Sequence, residues 1–241
     1  MTKKLTIKNN HLPDGWEEAK WKEILHIRSG RSHKEVLDPD GNYPIIGSAG
    51  KVMGYANTYL CEANTTIIGR KGTINNPIFI TTKFWNVDTA FGLQVGEKLI
   101  SKFLYYFCKS FDFTKMDKGS GRPSLVKSDL LQIKMSFPSI VKQKQIVTSI
   151  EKAFASIEKA KANAEQNLKS AKELFDSYLQ NVFKNKGDDW EEKPLSKVTT
   201  KIGSGATPRG GKASYKEEGV SLIRSMNVHD FEFKEKNLAF I

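Results

Sequence analysis

Basic and hydroxyl side chains recur in short, glycine-flanked segments of the first 139 residues. Residues 118–124 read Lys-Gly-Ser-Gly-Arg-Pro-Ser, and residues 69–72 read Gly-Arg-Lys-Gly. Guanidinium, ammonium and hydroxyl groups can contact phosphates and the edges of bases. Each such residue alone is typical of a solvated surface, so only their joint occurrence indicates a nucleic-acid-binding site. Lys51 and Tyr55 are predicted to share a similar glycine-flanked loop. The predicted site comprises Lys51, Tyr55, Arg70, Lys71, Lys118, Ser120, Arg122 and Ser124.

Two further segments are similar to motifs of catalysis or nucleotide binding. Residues 75–79, Asn-Asn-Pro-Ile-Phe, resemble the Asn-Pro-Pro-Phe/Tyr loop with which amino-methyltransferases hold a flipped base, but the second proline is missing. Residues 206–213 resemble a phosphate-binding loop in which alanine replaces both the first glycine and the Mg²⁺-binding hydroxyl residue. A turn is the simpler interpretation of both. The four histidines show no metal spacing, so we predict no catalytic residue, cofactor or metal in this chain.

The charge balance favours an acidic partner. Lys and Arg number 38 against 27 Asp and Glu, which gives a formal net charge of +11. The excess is +7 in residues 1–139, +4 in residues 140–186 and zero in residues 187–241. We therefore predict nucleic acid rather than a membrane as the partner, with its surface in the first 186 residues.

The chain lacks the marks of a secreted or membrane protein. No stretch approaches the length of a transmembrane helix, and the N-terminus has no apolar signal region. Cys61 and Cys108 are the only cysteines, and we expect both to be buried free thiols. These features predict a cytoplasmic protein.

The elements that position these residues change along the chain. Residues 65–74, 77–81 and 85–87 are β-rich and bounded by turn residues, and Ile133, Met135 and Phe137 alternate with polar residues as a last strand. Apolar residues recur at helical spacing from Ile100 to Phe111, which predicts an amphipathic helix. The expected fold is α+β: a strand-rich domain over residues 1–139, one long helix over 140–186 and an incomplete second domain over 187–241.

The long segment shows a seven-residue repeat. Ile-Glu-Lys-Ala occurs at 150 and again at 157, and no Gly or Pro interrupts residues 139–185. The apolar positions form a stripe wider than a two-helix seam, so we predict helix partners from another chain or from another copy of this segment. A helix folded over its own strand domain is the alternative. The predicted interface residues are Ile150, Phe154, Ile157, Leu168, Phe175 and Tyr178.

The beginning of the chain is repeated after the long segment. Asp14-Gly-Trp-Glu-Glu returns as Asp188-Asp-Trp-Glu-Glu, and the later Ser29-Gly30 has a counterpart in Ser204-Gly205. The first copy runs about 125 residues before its helix, whereas 55 residues remain for the second. We therefore expect the chain to end inside its second copy.

Together these segments resemble the specificity subunit of a type I restriction-modification system. The resemblance rests on Leu12-Pro-Asp-Gly-Trp16, Tyr43-Pro-Ile-Ile-Gly47, Leu130-Leu-Gln-Ile-Lys-Met-Ser-Phe-Pro138 and the helix start Pro138–Ile146. In that helix start, Lys142 or Lys144 stands where the family has an acidic residue.

The resemblance implies a non-catalytic subunit whose recognition domain reads half of a split double-stranded DNA site. It implies that the long helix docks adenine methyltransferase (M) subunits, which recruit restriction (R) subunits, and that S-adenosylmethionine, ATP and Mg²⁺ bind those partners. Two copies pairing through their helices would rebuild a complete subunit. The alternatives are a truncated or silent copy acting as a coiled-coil scaffold, and a stand-alone DNA methyltransferase or nuclease using residues 75–79.

Overall fold

The computed structural model describes residues 12–206, 208–230 and 232–241. The chain divides into two compact units, the first extending to Ser170 and the second comprising Ala171–Ile241. None of the helices in the described ranges is long and apolar enough to cross a membrane.

The described residues of the first unit, from residue 12 onward, form nine strands in three sheets. The strands are β1 Trp16–Lys20, β2 Leu25–Ser29, β3 Tyr43–Ile46, β4 Val52–Ala56, β5 Thr65–Gly69, β6 Ile78–Ile80, β7 Trp85–Asn86, β8 Ala90–Val95 and β9 Lys134–Pro138. An antiparallel sheet has the order β2-β8-β5-β6, and a second sheet has the order β4-β3-β7 with β3 and β7 parallel. Strand β1 pairs with β9, so the first strand of the unit meets its last.

Helices surround these sheets. They are α1 Trp21–Ile24, α2 Ser101–Ser110 and α3 Lys127–Leu130, with a 3₁₀ turn at Phe113–Met116. The amphipathic helix predicted from Ile100 is confirmed as α2, which buries Phe103, Leu104 and Cys108. The single-turn helices α1 and α3 were not predicted, because four residues are too short to show a helical period.

The main core lies between α2, the β2-β8-β5-β6 sheet and β9. Strand β5 is buried along its whole length, which explains its run of β-branched residues. Met135 and Phe137 of β9 are buried, as their alternation predicted. Cys61 and Cys108 are buried free thiols, as expected.

The predicted long helix is α4, Ile140–Lys184. Its first turns pack on the first unit, where Gln143 is fully buried. Helix residues after Glu151 are almost all exposed. The part of the helix that belongs to the first unit therefore leaves the strand domain after its first turns rather than folding over it.

After the end of α4, the described part of the second unit forms α5 and four short strands. Its elements are α5 Leu195–Val198, β10 Lys216–Leu222, β11 Val228–His229, β12 Glu232–Phe233 and β13 Ala239–Phe240, with 3₁₀ turns at Gly211–Ser214 and Ser225–Asn227. Strand β10 pairs with β13, and β11 pairs with β12. The α+β expectation, a strand-rich domain with one long helix, is confirmed, whereas the functional division at residues 139 and 186 stays a prediction.

Candidate nucleic-acid interface

Two predicted binding segments lie side by side in the structure. The Gly72 N–H donates to the Pro123 carbonyl at 2.8 Å, and the Leu125 N–H donates to the Arg70 carbonyl at 2.9 Å. An isolated antiparallel bridge pairs Lys71 with Ser124. Backbone hydrogen bonds thus join residues 70–72 to residues 123–125, although about 50 residues separate them in sequence.

A carboxylate holds the loop of residues 118–124 closed. Asp117 Oδ1 accepts hydrogen bonds from the Gly119 and Ser124 N–H groups, each at 2.8 Å. These two donors hold the pKa of Asp117 below its usual value, because they stabilise the ionised form. The Lys118 N–H also donates to the Ser124 carbonyl at 2.9 Å. The loop is therefore ordered locally, and its basic side chains project from a defined backbone.

Arg70 and Arg122 each lie against a neighbouring residue of the first unit. The Arg70 guanidinium carbon lies 5.8 Å from the ring centre of Phe91. Arg122 lies against Gly72, where an added Cβ would be 3.0 Å from Arg122 Nη2. Lys71, Lys118, Ser120 and Arg122 are exposed, whereas Arg70 and Ser124 are half-buried. All of these side chains can therefore reach solvent from one edge of the unit.

Thr89 links Lys51 to this edge. The Thr89 carbonyl accepts from the N–H groups of Arg70 and Lys71 at 2.8 and 3.2 Å. Thr89 also lines a surface depression of about 530 Å³ together with Lys51 and the rest of the β3–β4 turn. The structure thus brings three of the predicted segments to one edge, and we call Lys51, Arg70, Lys71, Lys118, Ser120, Arg122 and Ser124 the basic edge.

Tyr55 stands apart from the basic edge. It was predicted to share a glycine-flanked loop with Lys51, and that placement is wrong because Tyr55 lies inside strand β4. Its carbonyl accepts from the Asp38 N–H at 2.9 Å, and its side chain is exposed. Tyr55 lies four positions after Lys51 in the chain, which is about 13 Å at the usual rise of a strand.

Asp117 and Thr89 were missed by the sequence analysis. Asp117 gives a usable signal, because an aspartate two residues before a glycine often accepts from that glycine's N–H in a turn. Thr89 contributes through its backbone carbonyl, and a backbone contact leaves no signature in the side-chain sequence.

Residues 75–79 serve the packing of the fold. Asn75 Oδ1 accepts from the Phe113 N–H at 2.9 Å, and Asn76 Oδ1 accepts from Lys109 Nζ at 3.5 Å. The Phe79 ring packs on Tyr105 with ring centres 5.6 Å apart. These contacts occupy the amide oxygens of Asn75 and Asn76, which a loop that holds a flipped base would need as hydrogen-bond acceptors.

Two further kinds of catalytic group, reactive thiols and metal ligands, can be checked in the described residues. Burial raises the pKa of the Cys61 thiol to about 12 and also raises that of Cys108, so neither forms a reactive thiolate near neutral pH. Across residues 12–206, 208–230 and 232–241, no three His, Cys, Asp or Glu side chains cluster as metal ligands. Thr207 of the phosphate-loop-like segment lies outside the described residues.

The predicted helix interface begins at the first unit and continues along α4. Phe154 stacks on Tyr106 with ring centres 6.2 Å apart, while Ile150 is half-buried. Ile157, Leu168 and Tyr178 are 58%, 60% and 66% exposed, and Phe175 is 42% exposed. Large apolar side chains at heptad positions thus lie on the surface of the helix.

The model of the type I restriction modification DNA specificity domain family matches residues 13–166. This chain belongs to that family. The matched region contains the strand-rich unit, the basic edge and the first half of α4. The resemblance drawn from the sequence motifs is confirmed.

Curated relatives of this specificity domain are subunits of restriction enzymes. A Haemophilus influenzae protein named as a type I restriction enzyme specificity subunit is 27% identical over 143 residues, which are 56% of this chain and 37% of the relative. The Escherichia coli EcoDI specificity subunit is 25% identical over 159 residues, which are 64% of this chain and 35% of the relative. The chain therefore spans little more than a third of the length of these relatives.

Solved structures share the fold. The S subunit of a type I restriction-modification system from M. genitalium aligns with a TM-score of 0.50 and 21% identity, over 78% of this chain and 50% of that one. A chain from a structure of type I system assembly aligns with a TM-score of 0.57 and 18% identity, over 69% of this chain and 46% of that one. The alignments support the α+β architecture with its long helix.

Proposed function

We propose that this chain is a DNA-reading specificity subunit, or part of one, that contacts duplex DNA through the basic edge. The observation that carries the proposal is the convergence of three separate basic segments on one edge of the first unit. Phosphate contacts from lysine and arginine would set the register on DNA, and exposed polar groups of residues 118–124 would contact base edges. The edge would read one half of a split site.

The net charge of the first unit supports a nucleic-acid partner. Many lysines elsewhere in the unit have an acidic neighbour, such as Lys98 with Glu17 at 2.8 Å and Lys134 with Glu18 at 2.8 Å. On the basic edge, Lys118 lies 3.8 Å from Asp129, and Lys51, Lys71 and Arg122 have no ion pair among the described residues. Their charge is therefore available to phosphates.

The helix would hold the subunits that carry out the chemistry. The exposed stripe of α4 would dock adenine methyltransferase (M) subunits, a second copy of this chain, or both, and restriction (R) subunits would join through that complex. S-adenosylmethionine, ATP and Mg²⁺ would bind these partners, and this chain would contribute no catalytic group. Burial of the stripe would remove apolar area from water, the main driving force for such docking.

DNA binding is tested by affinity as a function of salt. Binding of the full chain to a 30-base-pair duplex of random sequence should weaken by orders of magnitude between low and high salt. Lys118→Ala with Arg122→Ala should weaken binding by roughly tenfold or more and reduce the log–log salt slope by about 2. An affinity that does not depend on salt would contradict the proposal.

The matched control removes two charges from the opposite end of the sheet. Strand β8 runs from Ala90, beside the basic edge, to Val95, and Lys98 and Lys102 lie beyond that far end. Lys98→Ala with Lys102→Ala should change the affinity by less than about twofold, since these lysines are placed away from the DNA. An equal loss of DNA affinity in the control would mean that DNA is attracted by the overall positive charge rather than bound at the basic edge.

Helix docking is tested by the mass of complexes in solution. Ile157→Asp with Leu168→Asp should abolish association with a type I methyltransferase subunit co-expressed from the same genome, and any self-association. Ala155→Asp with Ala162→Asp adds the same charges on the opposite helix face and should leave association intact. If complexes still form with Ile157→Asp and Leu168→Asp, the docking surface lies outside this stripe of α4.

A further inference from the structure

Exposed apolar side chains of the first unit are concentrated around strand β4. Among the described residues before α4, six large apolar side chains are exposed. Val52, Met53 and Tyr55 lie on β4, and Leu37 forms an isolated antiparallel bridge to Ala56 of the same strand. These four side chains are 46–53% exposed. Apolar surface that a fold leaves open and gathers in one place is typical of a binding site.

Two of these side chains line the depression at the β3–β4 turn. The depression of about 530 Å³ is lined by residues 47–49, residues 51–53 and Thr89, and we call it the hairpin depression. Met53 lies over the turn, because its Sδ is 3.2 Å from the position of an added Cβ at Gly47. The wall formed by Ala49, Val52 and Met53 is apolar, whereas Ser48 and Thr89 bring hydroxyl groups.

The turn that forms the hairpin depression is held on both sides. The Gly47 N–H donates to the Lys51 carbonyl at 3.0 Å, and the Gly50 N–H donates to the Gly47 carbonyl at 2.9 Å. The tip of the turn also packs on β6, where an added Cβ at Gly50 would lie 2.4 Å from Ile78 Cδ1. The depression is therefore formed before any ligand arrives, which lowers the entropic cost of binding.

The hairpin depression is continuous with the basic edge. Thr89 lines the depression, and its carbonyl accepts from the N–H groups of Arg70 and Lys71. Lys51 belongs to both surfaces, and the side chains of Lys51 and Lys71 are exposed. Three cations thus border an apolar depression, which favours a polyanion that also carries apolar groups over a purely apolar protein surface.

We propose that the hairpin depression binds the C5 methyl group of a thymine in the major groove. The proposal rests on DNA binding by the basic edge and names one feature of the base sequence that is read there. Thymine presents its methyl group beside the O4 acceptor, and the major groove admits a two-stranded ribbon such as β3–β4. Val52 and Met53 would contact the methyl group, and a hydroxyl of Ser48 or Thr89 would donate to O4.

Removing the methyl group from the DNA tests this proposal on the full, unaltered chain. Duplexes that the chain enriches from a randomised pool are resynthesised with deoxyuridine, which differs from thymidine only in lacking the C5 methyl. The affinity should fall roughly fourfold for each methyl group that the depression buries. The salt slope should stay the same, because the phosphates are unaltered. Unselected duplexes should bind equally well in the two forms.

Variants of the depression complete the test. Val52→Ala with Met53→Ala should bind the thymidine and deoxyuridine duplexes with equal affinity, because the apolar wall is lost. Leu37→Ala is the matched control, since Leu37 is equally exposed but does not line the depression, and it should keep the full difference.

Three results would overturn the proposal: equal binding of both duplexes by the unaltered chain, selection that enriches no thymine, or loss of the difference in Leu37→Ala. Equal binding would leave the apolar surface to a protein partner. Salt dependence and the loss in Lys118→Ala with Arg122→Ala are separate readouts, so these results spare the role of the basic edge. Absence of all DNA binding would overturn both proposals.

Discussion

Residues 13–24 and 187–198 each form a turn closed by a backbone hydrogen bond and then a single-turn helix, but only the first copy is part of a core. The Trp16 and Trp190 turns close with equal hydrogen bonds, whereas Trp21 is fully buried and Leu195 is two-thirds exposed. Local geometry is set by neighbours in sequence. Burial of Trp21 is set by residues 131–138, which include strand β9 and come from more than 100 residues away in sequence.

The glycines that follow the two motifs show the same contrast. An added Cβ at Gly30 would lie 1.8 Å from the Val87 carbonyl oxygen, so the backbones approach as closely as glycine allows. Among the described residues, no heavy atom lies within 4 Å of an added Cβ at Gly205. The repeated Ser-Gly pair therefore has a packing role in the first copy, and no packing contact enforces glycine in the second.

The largest expected difference between the copies is at the first helical residue. Trp21→Ala should lower the free energy of unfolding of the first unit by about 3–5 kcal/mol, because Trp21 packs on Phe107 and Phe113 in the core. Leu195→Ala should change stability by less than about 0.5 kcal/mol. Urea-dependent hydrogen exchange of the β5 and β8 amides measures the free energy of unfolding of the first unit. Equal effects of Trp21→Ala and Leu195→Ala on that free energy would contradict the comparison.

A smaller effect is expected where the long helix joins the first copy. The buried Gln143 side chain accepts from the Ile100 N–H at 2.9 Å and donates to the Lys98 and Pro138 carbonyls at 2.8 and 2.9 Å. Gln143→Leu leaves these groups without partners and should cost about 2–3 kcal/mol by the same exchange measurement. Gln145→Leu, two residues on and exposed, is the control and should be near neutral.

The two turns themselves should respond differently to alanine. Gly15 has a φ of +77°, and nothing lies within 4 Å of an added Cβ, so Gly15→Ala introduces backbone strain without a clash. The expected loss is about 1–2 kcal/mol. Asp189 holds the same position with a negative φ, so Asp189→Ala should stay within about 0.5 kcal/mol. The two stability losses are compared by thermal unfolding of each variant. A Gly15→Ala variant as stable as the original chain would mean that the turn changes type.

The smallest effect concerns the loop of residues 118–124, which depends on a local carboxylate rather than on strand closure. Because the pKa of Asp117 is lowered in the folded state, its hydrogen bonds stabilise the loop above the pKa of a free aspartate, about 3.9. That contribution is lost as the pH falls through the lower folded pKa. The Gly119 and Ser124 amide resonances should titrate with a midpoint below about 3.9, and Asp117→Asn should remove the titration. A midpoint at the free value would show that the carboxylate does not hold the loop.

Periodicity predicted the long elements well. Helix α4 was expected over residues 140–186 and spans Ile140–Lys184, and the alternation around Met135 was enough to place β9. The single-turn helices α1 and α3 escaped prediction because one turn shows no period. For the site, composition indicated the basic segments, but Tyr55 was misplaced because a glycine inside strand β4 was taken as a loop signal.

The sequence by itself determined the long helices, several strands, the repeated motif and the family, because these depend on residues close together in the chain or on motifs in fixed order. Only the tertiary structure decided that residues 70–72 lie against residues 123–125 and that Thr89 connects them to Lys51. Those contacts are mostly backbone hydrogen bonds between distant segments, which any side chain can make. The same dependence on distant segments explains why similar local sequences are buried in one copy and exposed in the other.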